Sequence, residues 1–155
     1  MYARTVSPVT PASAVRKVMM WPVAVVDGSA TLEEVAEALA ADEIGAVCVT
    51  EDGRVTGIVS ERDVVFHVAA GADLSHLVAA DVMSNDLVTV SPDDTVLFAA
   101  RRMEEAEVRH LPVIDAGSIA GIVSIRDLFS ALVDEAHDTS VVVVRSGSRV
   151  VVVDE

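Results

Sequence analysis

Apolar positions along this chain change period in a fixed order, and the order occurs twice. A short apolar stretch, VAVV at 23–26, is followed by Leu32, Val35, Ala36 and Leu39 at the spacing of a helix face. Thr31 with Glu34 three residues on forms a capping box, whose side chains satisfy N–H groups of the first helical turn, so a helix is expected to start there. AVCVT at 46–50 and RVTGIVS at 54–60, joined by Glu51, Asp52 and Gly53, read as a hairpin, and a second helix is expected after Ser60. The succession returns as LVTV at 87–90, then Val96, Ala99, Ala100 and Met103, then LPVID with SIAGIVS, then a helix after Ser124.

Sliding the sequence by 64 residues superimposes the two copies without a gap. GIVSERDVV (57–65) falls on GIVSIRDLF (121–129), and positions 18–65 give 14 identities out of 48. Each unit is predicted to be strand, helix, strand, strand, helix, an α/β fold of the α+β type. Neither is large enough to bury both faces of its sheet, so the two must pack together. The expected organisation is an extended N-terminal arm (1–14), a first repeat (15–72), a second repeat (79–134) and a C-terminal hairpin (139–155). The hairpin is read from SVVVVRSGSRVVVVDE, two valine runs around a turn. Its two faces are equally apolar, which makes it either an oligomer contact or an edge extension of the core sheet.

Composition narrows the class. Of 155 residues 52% are hydrophobic and 3% aromatic, so the core is aliphatic; 25 acidic against 11 basic side chains leave a net charge of −14. Such a chain repels nucleic-acid phosphates and anionic lipid surfaces. No apolar run reaches the roughly eighteen residues of a membrane helix, and MYARTVSPVTPASA lacks the apolar segment of a signal peptide. The single Cys48 makes no internal disulfide, and with His67, His76, His110 and His137 it shows no metal-ligand spacing. A cytoplasmic protein without metal, membrane or nucleic-acid partner is expected.

The two G-h-h-S-x-x-D motifs, the LPVID before the second, and the order of elements together resemble the CBS domain, named for cystathionine β-synthase; a tandem pair resembles a Bateman module. The resemblance covers about residues 15–134. It implies two repeats packed about a pseudo-twofold axis, clefts between them that bind adenosine-containing ligands, and association of pairs into a disc-shaped homodimer. Carried over residue by residue, it implies a first site of Ser60, Asp63, Leu87, Val88, Arg109, His110 and Pro112. The second would comprise Ser124, Asp127, Val23, Ala24, Ala46 and Val47, with Cys48 where the family usually has proline. Asp would accept hydrogen bonds from both ribose hydroxyls, and Ser with the helix N-terminus would face the phosphate. Arg109 and His110 align with Gly45 and Ala46, so only the first site has evident phosphate partners. S-x-x-D is also an ordinary helix cap, and a residue serves both purposes without conflict.

The function implied is regulatory: binding of AMP or ATP, with S-adenosylmethionine or NAD as the other adenosyl candidates, and transmission of a shape change to an effector protein. A ligand-free dimerisation scaffold is the alternative. An enzyme is the weakest reading, since no nucleophile, base and orienting group recur together. Trp21 is read as a packing anchor or a border of the second cleft. Arg101 and Arg102 with Glu104, Glu105 and Glu107 are read as a solvated face with local ion pairs, and Cys48 as an inert small hydrophobe.

Overall fold

The computed structural model describes residues 8–136, 141–146 and 149–154. The first repeat runs β1 (Val25–Asp27), α1 (Leu32–Ala41), β2 (Ala46–Glu51), β3 (Arg54–Ser60) and α2 (Glu61–Ala69); a short α3 (Ala79–Val82) leads into the second, which runs α4 (Val96–Ala106), β4 (His110–Asp115), β5 (Ser118–Ser124) and α5 (Ile125–Ala136). Strand β1 pairs parallel to β2, which pairs antiparallel to β3. Asp52 and Gly53 turn that hairpin with φ of 50° and 77°, and Ala116 and Gly117 turn its counterpart with 49° and 82°. These left-handed pairs match the twist of the strands they join, which is why two residues suffice.

The Thr31–Glu34 capping box forms as expected. Thr95 accepts from Phe98 N–H at the start of α4, but Phe98 cannot return the second bond of a box.

The predicted strand at 87–90 is reduced to an isolated parallel bridge between Val90 and Val113. Proline explains the difference. In the first repeat Cys48 N donates to Ala24 O at 3.2 Å and Gly28 N to Thr50 O at 3.1 Å. The residues 64 positions later are Pro112 and Pro92, neither of which has an N–H. Both ladder bonds are lost, and β4 with β5 remains a two-stranded sheet.

Two cores form, and each is completed by the other repeat. Val15 is fully buried among Val96, Ala99, Leu111, Val113 and Val123 of the second repeat. Sixty-four residues on, Ala79 is fully buried among Leu32, Val35, Val47, Val49 and Val59 of the first. Backbone pairing repeats the exchange. Ala14 bridges Thr95 and Val78 bridges Thr31; Met20 bridges Ile122 and Ser84 bridges Ile58. Carbonyls of Ser13 and Leu77 accept from Val96 N and Leu32 N at 2.9 and 2.8 Å, satisfying first-turn N–H groups of α4 and α1 that no residue within those helices can reach.

Each exchanged methionine lies over a glycine. A Cβ on Gly121 would stand 2.9 Å from Met20 O and 3.0 Å from Met19 Cγ; one on Gly57 would meet the Met83 side chain, 2.8 Å from its Cβ. The repeats therefore join less by sheet-on-sheet covering, as expected from their size, than by trading leading segments about the pseudo-twofold axis.

The arm is described from Pro8 onward and folds across the start of α4, with residues 1–7 outside the described residues. The valine hairpin forms as β6 (Val141–Ser146) antiparallel to β7 (Arg149–Asp154), a separate two-stranded sheet. Its turn at Gly147 and Ser148 lies outside the described residues. Trp21 is not a core anchor. Its side chain is 65% exposed, because Met20 is held by Ile122 and the chain turns outward after it. The ion pairs expected on α4 do not form among the described residues; Arg102 instead lies 6.0 Å from the Phe98 ring centroid.

Truncation tests the exchange. A chain ending at Ala72 lacks Ala79, Val82 and Met83 and leaves the first core open, so no cooperative urea transition is expected; extension through Ser84 should restore one. A cooperative, monomeric 1–72 fragment would show that the traded segment is dispensable.

Candidate functional site

Ser60 ends β3 and caps α2. Its Oγ accepts from Asp63 N at 3.3 Å, while Asp63 Oδ2 accepts from Ser60 N at 2.7 Å and from Ser60 Oγ at 2.9 Å. Both bonds fall on Oδ2, so Oδ1 keeps its capacity to accept. Ser124 and Asp127 repeat the cap at α5, with Ser124 N to Asp127 Oδ2 at 2.8 Å and Asp127 N to Ser124 Oγ at 3.1 Å. The capping reading of S-x-x-D is thus realised in both copies.

Around the first motif the two repeats enclose a cavity of about 430 Å³, within the roughly 300 to 1,000 Å³ of small-molecule sites. Ser60 and Asp63 line it from the first repeat, and Val88, Arg109 and His110 from the second. The Ser84–Ile58 bridge puts both of those residues on its wall. Leu87 and Pro112 are not among its lining residues: Leu87 precedes Val88 and is half-buried, and Pro112 is fully buried two positions along β4 from His110, opposite Ile122. Sequence reasoning missed Arg62, whose side chain supplies a further cation, and Phe66, an apolar wall one helical turn beyond Asp63. Both were legible as the neighbours of a capping Asp on a helix. Glu61, Asp86 and Glu107 also line the cavity, so Arg62, Arg109 and His110 work against local acid as well as the acidic whole.

His110 is half-buried, and burial holds its pKa below the ordinary histidine value; Asp127 and then Glu61 pull the other way, and Arg109 adds to the depression. Gly45 makes room for the ring, since a Cβ there would stand 2.6 Å from His110 Nε2.

The residues of the second expected site are divided. Ser124 and Asp127 sit at the start of α5, Val23 and Ala24 are half-buried before β1, and Ala46 is buried at the start of β2. Val47 packs into the first core, which leaves only its backbone for a ligand. Cys48 is fully buried, and burial pushes its thiol pKa up to about 11, which removes the thiolate needed for reactivity. Among the described residues no group of three His, Cys, Asp or Glu side chains could hold a metal, and no helix is long and apolar enough to cross a membrane.

Comparison with known proteins bears on this geometry. The family model for the CBS domain matches residues 15–70 and 78–134. The CBS domain-containing protein YhcV of Bacillus subtilis is 30% identical over 116 residues, covering 75% of this chain and 83% of YhcV. A 33.4 kDa protein in a ribosomal RNA operon of Thermofilum pendens is 35% identical over 124 residues, 79% of this chain but 40% of its own length. The chain thus spans most of one relative and less than half of another. A CBS domain protein from Pyrobaculum aerophilum, solved in complex with AMP, shares 31% identity and a TM-score of 0.72 over 82% of this chain and all of its own.

The two caps set a baseline. Asp63→Ala and Asp127→Ala should each lower stability by about 1 kcal/mol, the usual cost of a lost cap. Asp63→Ala should cost somewhat more, because it alone also loses a hydroxyl bond. Urea denaturation measures both, and a neutral Asp127→Ala would show that the second cap is idle.

Proposed function

This chain belongs to the CBS domain family and carries the domain twice, and from that premise we propose that it is a regulatory module binding a phosphorylated adenosine ligand, AMP or ATP, in the cleft of Ser60 and Asp63. The observation that carries this reading is one cavity that joins a ribose acceptor, Asp63, to the cations Arg62 and Arg109 and to the imidazole of His110. The complex of the Pyrobaculum aerophilum relative with AMP supports the ligand class. At the positions 64 residues before Arg109 and His110 stand Gly45 and Ala46, so an anion at the Ser124 and Asp127 motif would meet fewer compensating charges. That motif is the poorer phosphate site.

Binding would act through the helices. Phe66 lines the cleft, yet it is 68% exposed on the face of α2 that also presents Val65; Phe129, the counterpart of Val65, is 60% exposed on α5. Apolar side chains displayed in register on two related helices suit a homodimer contact. A ligand that prefers one setting of α2 shifts the population of that contact, and no other means of signalling is needed. The fully formed caps favour a second reading, a dimerisation scaffold in which Asp63 and Asp127 serve structure alone.

Ligand binding separates the two. Stabilisation by AMP should follow RT ln(1 + [L]/Kd), about 2.7 kcal/mol at one hundred times Kd. Losing a hydrogen bond to a charged group should weaken AMP by about ten- to a hundredfold in Asp63→Ala, with Asp127→Ala as the matched control. Arg109→Ala should weaken AMP and ATP while leaving adenosine nearly unchanged. Equal losses from the two Asp variants with Arg109→Ala silent would refute the asymmetry, and no stabilisation by any adenosyl ligand would favour the scaffold. Light scattering on the full chain and on Val65→Asp/Phe129→Asp tests the dimer; a monomeric parent chain would eliminate it.

A further inference from the structure

His110 holds a position that the pseudo-twofold axis does not repeat. Its ring lines the cavity with Ser60 and Asp63 and lies against Gly45, whose absent side chain leaves the space it fills. Across the β4–β5 ladder its backbone partner is Ser124, the residue capped by Asp127. The imidazole therefore stands between the two S-x-x-D motifs, facing one through the cavity and joined to the other through the sheet. In the copy this place belongs to Ala46.

The charges around it come from every element nearby. Asp127 on α5 and Glu61 on α2 favour the imidazolium, whereas burial and Arg109 disfavour it, and burial is the largest influence. Arg62, Asp63, Asp86 and Glu107 line the same cavity. Burial outweighs the carboxylates in the free cleft, and a phosphate monoester, adding about 1.5 to 2 negative charges at neutral pH, adds a further pull toward the imidazolium.

Resting on the adenosine-phosphate reading of this cleft, we propose that His110 is its specificity-determining residue: it takes up a proton when a phosphate enters, so that the cleft discriminates phosphorylated from unphosphorylated adenosine more strongly as pH falls. The sign follows from linkage. A ligand that binds the protonated form better raises the affinity of the ring for protons, and its own affinity rises as pH drops through the range between the free and bound titration midpoints. Adenosine brings no charge and, by excluding water, can only hold or lower the midpoint. Arg109, charged throughout, contributes phosphate affinity without this pH dependence.

The test uses the full chain with AMP and adenosine as probes. The Cε1–H resonances of the histidines are titrated by NMR in the free protein and at saturation with each probe, the His110 signal being the one missing from His110→Gln. With AMP the His110 midpoint should move up; with adenosine it should not. Calorimetry at pH 7.5 and 6.0 should show the AMP affinity of the parent chain rising relative to that of His110→Gln, by about tenfold for each unit that the midpoint moves within that range. That ratio cancels the ionisation of the ligand's own phosphate. AMP bound with an unmoved His110 midpoint, an equal movement with adenosine, or a ratio independent of pH would overturn the inference while leaving the cleft an AMP site. If neither probe binds at either pH, the reading of the cleft itself falls, and this inference falls with it.

Discussion

The structure depends on a trade. Val15 completes the core of the second repeat and Ala79 that of the first, so neither repeat owns all the side chains it needs to exclude water. Aliphatic burial supplies most of the driving force in a chain with so few rings. Placing part of that burial across the repeat boundary turns two small units into one. The same trade builds the cleft. Ser84 pairs with Ile58, and this fixes the segment carrying Asp86 and Val88 beside the strand that ends at Ser60. A ligand site between repeats is thus a product of the packing that joins them, and it cannot form before they join.

Backbone symmetry and chemical symmetry part company at the site. Most hydrogen bonds of the traded segments recur at a spacing of 64 residues, as Val15 N to Asp94 O recurs in Ala79 N to Ala30 O, and both S-x-x-D motifs cap their helices. The side chains that would meet an anion do not match, because Gly45 and Ala46 stand opposite Arg109 and His110. Divergence of this kind costs little stability, since Arg109 is exposed and His110 half-buried, and such positions at the rim of a cleft carry little of the packing energy. It converts a duplicated scaffold into one with unlike halves.

Much of this was legible in the sequence. The ungapped repeat, the Thr31 cap, the two hairpins and the helices after Ser60 and Ser124 followed from period, capping and turn chemistry, with the first turn one residue shorter than read because Glu51 belongs to β2. The traded segments did not, because α3 and the single helical turn at Val15–Lys17 are too short to show a helical period. Nothing local says that Val15 belongs with Leu111. The shortened strand at Val90 was written in Pro92 and Pro112, yet its effect emerges only when the repeats are compared bond by bond. Of the two readings of Trp21 the packing anchor fails, because its ring stays largely exposed despite its size. At the site, the motif positions and the Arg109–His110 pair were legible, and Arg62 and Phe66 could be found as neighbours of the capping Asp63, while the vacant space at Gly45 required three dimensions.

The order in which the chain is made gives the trade an asymmetric outcome. At roughly 5 to 20 residues per second, the first core has all its parts once Ser84 has emerged, since its donor segment follows it directly. The second core must wait for Val123 and Leu128 and then reclaim a segment made ahead of the first repeat's sheet, closing a loop that encloses the whole first repeat. Until then Val15, Val18 and Met19 have no slot of their own to fill. A neighbouring chain whose second repeat is already made offers an identical slot, and filling it joins copies by each other's leading segments, a domain-swapped form with the same contacts and a different ownership.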